Sequence, residues 1–488
     1  MLEISSFKPS NKDIQVMDAA RYPEYRKPKM PWLPEVPAHW VEQRTKVFFR
    51  EIDERSHNGS EELLSVSHLT GVTPRSQKNV TMFKAESYVG HKLCRPSDIV
   101  VNTLWAWMAA LGAARHTGLV SPAYGVYRPH CADSFNPAYL DYLLRTRAYV
   151  SEYNCRSTGI RASRLRLYPN QFLDIPLIQP TRPEQDQIVA YLRVQDAHIA
   201  RFIKAKRELI SLLNESRQLL ITQAVTRSQE LDSSLQPSGI PWLCEIPTHW
   251  TATRIKNLSS GAARSFVDGD WIEIPYITDK GIRLIQTGNI KVGRFKDQGF
   301  RYISEQSFRD LKCTGIDPGD VLICRLGDPV ARACIAPDLG CQMITSVDVC
   351  ILKTADHVVP QFIVHILSSS PFLKWVGSLV RGSTRDRVSR SMLGSFSVPL
   401  PPYEEQVSIC KTLDSDLVQV DQAIDEAMKE IDLVREYRDR LIADVVTGQI
   451  DVRNWVPGPD DEVADEDLAA LAEDDNENIE EDESDGAD

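Results

Sequence analysis

Between residues 406 and 447 the chain runs without proline or glycine, and its apolar residues recur at alternating steps of four and three. Leu413, Leu417, Val420, Ile424, Ala427, Ile431, Val434, Leu441 and Val445 mark this seam, which only Arg438 interrupts. A second run carries Ile188, Leu192, Ile199, Phe202, Leu209, Leu213 and Leu220, with Gln195, Lys206 and Ser216 as its weak positions. A period of 3.5 residues sustained over about five heptads predicts coiled coil. Each helix would be roughly 55–65 Å long at about 1.5 Å per residue. The simplest partners for two such stripes are each other.

Ahead of each helix the pattern changes to strands, turns and short helices, and it does so twice in the same order. "DIVVNTLWAWMAALGAA" (98–114) and "SPAYGVYRP" (121–129) have their counterpart in "GDVLICRLGDPVARACIAPDLGCQMITSVDVCILK" (319–353). Both begin with Asp before a β-branched run, pass a turn and return in strand-like sequence. Proline then opens a short amphipathic helix in each, "NPAYLDYLLRT" (136–146) and "PQFIVHILSSS" (360–370). Pro183 and Pro402 stand just before Gln187 and Gln406, and proline at a helix's first turn starts it sharply. The decapeptides "PWLPEVPAHW" (31–40) and "PWLCEIPTHW" (241–250) agree at seven of ten positions. They carry Trp32, Trp40, Trp242 and Trp250, expected to brace each globular part where the chain enters it.

The fold class expected is therefore α+β: two mixed α/β domains, each followed by a long helix. The two helices would form an antiparallel coiled coil with pseudo-two-fold symmetry, because equivalent halves packed by equivalent contacts are related by such an axis. The boundaries read as an N-terminal extension at 1–27, a first domain at 28–183, its helix at 184–228 and a linker at 229–240. The second domain follows at 241–402, its helix at 403–453 and an acidic tail at 454–488.

That tail changes the meaning of the net charge of −12. No Lys or Arg follows Arg453, and residues 460–488 hold 16 Asp and Glu. Setting those 16 aside from the 68 acidic residues leaves 52 against 56 Lys and Arg, a body near +4. The tail reads as disordered, and any surface for a polyanion must be local. No apolar run approaches 18 residues and the N-terminus lacks a signal-peptide core, so the expected location is cytoplasmic. The ten cysteines form no CxxC pair and read as small buried hydrophobes rather than as metal ligands.

Catalytic signatures are missing from the sequence: there is no phosphate loop, no GxSxG and no HExxH. "LPPY" (400–403) has Leu400 where a methyltransferase loop needs Asn or Asp. The chain reads as neither an enzyme nor a metal or cofactor binder. Its candidate chemistry is DNA binding. "TDKGIRLIQTGNIKVGRFKDQGFRYIS" (278–304) interleaves Lys280, Arg283, Lys291, Arg294, Lys296 and Arg301 with Gln286, Asn289 and Tyr302. Arg, Asn and Gln match purine edges in the major groove, and Lys holds phosphate. The first half offers Arg75, Gln77, Lys78, Asn79 and Lys84. Two Arg/Ser/Thr stretches stand in register, one with Arg156, Ser157, Thr158 and Arg161, the other with Arg381, Ser383, Thr384, Arg385 and Arg387. Hydroxyls, glycine-freed amides and guanidinium groups make a phosphate clamp; an Arg-rich turn pairing with carboxylates is the plainer alternative.

Taken with the decapeptides, the 102–129 and 319–339 segments, the helix starts "PTRPEQDQI" and "PLPPYEEQ", and the linker "SSLQPSGIPWLCEIPTHW" (233–250), the chain resembles the specificity (S) subunit of type I restriction–modification systems. The resemblance covers roughly residues 28–453 and leaves out the tail and the first ~20 residues. It implies two target recognition domains, each reading half of a bipartite double-stranded DNA sequence. It implies two M (methyltransferase) subunits that bind S-adenosylmethionine and methylate adenine, and an R (restriction) subunit using ATP and Mg where one exists. No membrane partner is expected. A coiled-coil scaffold for protein partners, without DNA reading, is the competing class.

Overall fold

The computed structural model describes residues 20–68, 70–77, 87–159, 165–228, 233–380 and 386–471. Two helices dominate it, Arg182–Thr226 with 45 residues and Tyr403–Val446 with 44. The mixed α/β character and the two long helices expected from the sequence are both present. The chain separates into two compact units, one of residues up to Lys206 together with those from Lys429 onward, the other of Arg207–Met428. The first unit is thus discontinuous, and each unit takes part of both long helices.

In the first unit an antiparallel sheet runs in the order Phe49–Glu51, Gly125–Pro129, Ile99–Val101, Leu111–Ala113. Ile99, Val100 and Val101 are all fully buried, because alternate side chains serve opposite faces and both faces are covered. Ile99 and Val101 join Tyr127, Tyr139, Leu143 and Phe172, whereas Val100 joins Val66, Val72 and Val120. That is why this strand is a continuous β-branched run rather than an alternation. The helix Pro137–Leu144 starts at proline, and the Asn136 side chain accepts from Ala138 N at 2.9 Å. Leu441, Val445 and Val446 at the end of the second long helix, with Val452 beyond it, complete this core. Arg438, the interruption in the seam, donates from Nε to Asp196 Oδ1 at 2.7 Å, and the Tyr142 hydroxyl donates to Asp196 Oδ2 at 2.7 Å. Lys206, another weak seam position, pairs with Glu430.

The second unit repeats the sheet as Phe266–Asp268, Val349–Leu352, Val321–Cys324, Ala333–Ile335. It adds a second sheet in which Ile282–Ile285 lies between Tyr302–Ile303 and, in parallel, Met343–Thr345. Here Ile221 packs with Leu413 and Leu417, and Arg217 Nε donates to Asp421 Oδ1 at 3.1 Å. Most seam residues of both helices are buried or half-buried; Leu209 is not, at 41% exposed. It lies between the polar seam positions Lys206 and Ser216, where the stripe is weakest.

The internal repeat extends to individual hydrogen bonds. Asn102 N donates to Ala110 O at 2.9 Å and Cys324 N to Arg332 O at 2.8 Å. Ala109 and Ala331 both adopt positive φ, 64° and 67°. The Asp98–Arg128 ion pair, 2.8 Å, has its counterpart in Asp320–Lys353, 2.7 Å. His39 Nε2 lies 2.8 Å from Glu184 Oε1, and His249 Nε2 lies 2.8 Å from Glu405 Oε2, so each decapeptide is tied to the first turn of a long helix. Trp40 and Trp250 are buried beside these pairs.

The neighbouring glutamine is a second repeated tie, and its first copy is Gln185 rather than the expected Gln187. Gln185 accepts from Asn136 N at 2.7 Å and donates to Pro180 O at 2.9 Å. Gln406 accepts from Val359 N at 2.9 Å and donates to Pro401 O at 2.9 Å and His357 O at 3.2 Å. Both amides are buried, so apolar substitution leaves backbone groups without partners. Gln406→Met should cost about 3 kcal/mol or more, since it orphans Val359 N, Pro401 O and His357 O at about 1–3 kcal/mol each. Urea unfolding checks this, and a loss below about 0.5 kcal/mol would remove the glutamine's assigned role.

The first part of the acidic stretch is folded against the first long helix rather than standing free. Residues 465–471 are helical, Leu471 is buried, and Asp461 and Asp465 lie 3.2 and 3.5 Å from His198 and Arg193. Residues 472–488 lie outside the described residues. Six cysteines are buried as expected, but Cys131, Cys155, Cys244 and Cys341 are exposed. Burial pushes the thiols of Cys94, Cys334 and Cys350 up to about 12, which keeps them protonated and inert. Among the described residues no group of His, Cys, Asp and Glu is arranged to hold a metal. No single helix among them is long and apolar enough to cross a membrane.

Candidate nucleic-acid interface

In the second unit the expected DNA-binding stretch forms a strand, a short turn and a hairpin. Strand Ile282–Ile285 is buried at every residue, including Arg283 at 2% exposed. Its guanidinium donates from Nη2 to Asp297 Oδ1 at 3.0 Å and Gln298 O at 2.7 Å, under the rings of Phe300 and Tyr302. Arg283 is therefore an internal staple with its donors spent, which corrects its expected place on a DNA face. Asn289 is likewise buried, donating to the carbonyls of Lys296 and Gln298 at 2.9 Å and accepting from Gln286 N at 2.8 Å. It holds the hairpin's shape.

What this scaffold presents is the hairpin itself. Lys291 N donates to Arg294 O at 2.9 Å, closing a tight turn with Gly293 at positive φ. Arg294 and Lys296 are exposed on it and Lys291 is half-buried; Lys280 is exposed on the preceding turn. At its base Gln286, Thr287, Gly288, Gln298, Gly299 and Arg301 line a shallow polar depression.

The flanks of the two Arg/Ser/Thr stretches are partly committed. Arg156 Nε donates to Glu152 Oε1 at 2.5 Å, and Trp32 of the decapeptide donates to Glu152 Oε2 at 2.8 Å. The Ser157 hydroxyl is buried without a partner among the described residues, and Thr158 bridges to Arg166. Arg387 lies 2.7 Å from Asp348. These pairs fit the plainer reading of an Arg-rich turn at a helix base for Arg156 and Arg387. Arg161, Arg381, Ser383, Thr384 and Arg385 lie outside the described residues, as do Lys78, Asn79 and Lys84. Arg75 begins a short helical turn and is half-buried.

Sequence reading missed that the turns of the two repeated segments adjoin these flanks. Leu167 N donates to Thr103 O at 2.9 Å, and Val388 N donates to Arg325 O at 3.0 Å. The turns 103–109 and 325–331 thus stand beside the two stretches in the same way. The sequence reading has a turn after each repeated Asp-plus-strand segment, but nothing in it places either turn beside an Arg/Ser/Thr stretch.

Comparison with known proteins agrees with the sequence resemblance. Residues 318–429 match the family model described as the type I restriction modification DNA specificity domain. The chain is 23% identical over 322 residues to the type I restriction enzyme MjaVIII specificity subunit of Methanocaldococcus jannaschii, covering 65% of this chain and 71% of that one. It is 22% identical over 346 residues to the EcoBI specificity subunit of Escherichia coli, covering 70% and 71%. A solved structure from work on complex assembly and conformational transition of the type I R-M system shares the fold, with a TM-score of 0.60 at 15% identity. That likeness covers 86% of this chain and all of the other. The resemblance to type I specificity subunits thus rests on a family model, on curated relatives and on a shared fold.

Proposed function

We propose that this relative of type I specificity subunits is the non-catalytic DNA-reading subunit of a type I restriction–modification complex, in which each unit reads one half of a bipartite target. The observation that carries the reading is the repeated scaffold: the same sheet, ion pairs and helix-start ties occur twice, while the loops they hold differ. Phosphate contacts give such a protein salt-dependent affinity and register, and groove contacts give it sequence. Because its two copies have diverged, the half-sites need not be alike, as they must be for a homodimer.

The two long helices act as an antiparallel coiled coil with pseudo-two-fold symmetry that sets the unread spacer and docks two M subunits. Their contacts support this: 196 meets 438, 206 meets 430, 217 meets 421 and 221 meets 413 and 417, so one number falls as the other rises. The M subunits would bring S-adenosylmethionine and flip the target adenine from the stack, and an R subunit would join with ATP and Mg. The work of this complex is cytoplasmic. Lys280, Lys291, Arg294 and Lys296 in the second unit, and Arg75, Lys78 and Lys84 in the first, supply the local positive surface.

Arg161 and Arg385 hold phosphate in this reading. Arg161→Ala or Arg385→Ala should weaken binding across all sequences and lower the slope of log affinity against log salt by about 0.9. Gel-shift titrations over salt, with the methyltransferase partner present, make the measurement. A changed base preference with an unchanged slope would contradict the assignment. Sequencing of methylated adenines in cells with and without the gene tests the function itself; identical patterns would leave the scaffold reading.

A further inference from the structure

We propose that the paired turns 103–109 and 325–331 are specificity-determining elements, the first presenting an apolar wedge and the second a carboxylate to the DNA. This deepens the reading of the chain as a DNA reader and rests on it.

The turns are one structure used twice. Besides the shared closing bond and the left-handed alanines, each is fastened to the flank of its Arg/Ser/Thr stretch. In the first unit the Asn154 side chain donates to Trp107 O at 3.3 Å. In the second, Gly327 N donates to Asp386 O at 3.0 Å and Leu326 bridges to Arg387. Both turns are stiff. The Trp107 indole donates to Leu104 O at 3.0 Å, and Arg332 clamps Leu326 O at 3.1 Å, Pro329 O at 3.0 Å and Ile290 O at 2.7 Å. Whatever lies against the flanks of the phosphate-holding stretches therefore lies against these turns, with their side chains already set.

Between the shared Leu and the shared Ala the side chains differ at every position. The closing bonds align Leu104 with Leu326, Trp105 with Gly327, Ala106 with Asp328, Trp107 with Pro329 and Met108 with Val330. The first turn hides Ala106 and Ala109 and turns large apolar groups outward: Trp105 is 53% exposed, Leu104 45% and Met108 37%. Tyr168, 46% exposed, stands two residues beyond the Arg166 bridge with that guanidinium over its ring. Apolar and aromatic tips beside guanidinium groups suit a base step or a thymine methyl. In the second turn Asp328 is exposed and Val330 buried. A carboxylate facing DNA is repelled by the phosphate backbone, and it gains only where it accepts from an exocyclic amino group such as that of cytosine. A common scaffold with opposite chemistry at its tip is what two readers of unlike half-sites need.

The test uses the full chain assembled with its methyltransferase partner, in the variants Trp105→Ala and Asp328→Ala, both at exposed positions. Affinity for the methylated target and for single-base variants of each half-site is measured at several salt concentrations. Trp105→Ala is expected to lower discrimination about tenfold in one half-site, with an unchanged salt slope. Asp328→Ala is expected to relax a position in the other half-site alone. Unchanged discrimination in Trp105→Ala, beside a wild type that discriminates, overturns the proposal while leaving the DNA-reading function intact. Loss of methyltransferase assembly with unchanged base preference overturns it too, by making the turn a protein-docking surface. A wild-type complex with no sequence preference at all would overturn the DNA-reading function on which the proposal rests.

Discussion

Asp196→Ala should destabilise the protein by about 3–5 kcal/mol, because it breaks a buried ion pair at the helix seam. The side chain of Asp196 is 6% exposed and that of Arg438 19%, so removal of the carboxylate takes a 2.7 Å partner from a cation in a place water reaches poorly. The Tyr142 hydroxyl loses its acceptor as well, and burial already holds that phenol protonated far above the usual range. Arg438→Ala should cost a similar amount by stranding the carboxylate instead. Replacing the whole group, Asp196→Leu with Arg438→Met and Tyr142→Phe, should recover most of the loss, because packed apolar residues of similar volume replace a buried pair at little cost. Urea unfolding of the three proteins decides the matter. If Asp196→Ala and the triple variant were equally unstable, the charge argument would be wrong and simple packing would explain the site.

The second large effect concerns what is read rather than how firmly the chain folds. Exchange of residues 254–318 for the corresponding segment of a relative should change one half-site in the methylated motif and leave the other untouched. The segment has natural seams. It starts at the end of strand Thr251–Arg254, paired with Ser397–Leu400, and stops at the turn where Asp317 N donates to Asp320 Oδ2 at 2.8 Å. Both seams belong to the duplicated scaffold, since strand Val41–Arg44 pairs with Pro176–Gln179 and Arg95 N donates to Asp98 Oδ2 at 2.9 Å. Between them lies the staple of Arg283, so the replacement must bring its own internal partners. Methylome sequencing of cells carrying the exchanged gene provides the readout. Alteration of both half-sites would end the division into independent readers.

Much of this was legible in the sequence for physical reasons that also explain the gaps. The heptad seams were visible because a helix buries one stripe, and a stripe has a period. Even Arg438 was noticed as an interruption, but its partner was not, since Asp196 is far away in sequence and unremarkable beside Gln195. The duplication was visible in Trp, Pro and His, residues too rare to repeat by chance. The Glu–Gln tie was missed by two residues, Gln187 standing in for Gln185, because helical periodicity does not say which glutamine faces a neighbouring helix start. Arg283 was misplaced for a related reason. In "IRLI" a single polar residue between apolar ones looks like the solvent face of a strand, yet Asp297, Gln298 and two aromatic rings cover it. Charge says what a side chain needs, and only the fold says whether those needs are met inside.

The discontinuity of the first unit has a consequence for the birth of the protein. Its core is finished by Leu441, Val445, Val446 and Val452, and Gly448 sits so close to Pro37 that an added Cβ would fall 2.4 Å from the ring. A ribosome delivers those residues after the whole second unit. The second unit, one continuous stretch, can close as soon as it emerges, whereas the first must wait with its tyrosine-rich face open while the whole second unit is translated. The usual order of synthesis, N-terminal part first, is thereby inverted. Translation stalled before codon 441 would leave a chain whose later half is folded and whose earlier half is still exposed to proteases and to its neighbours.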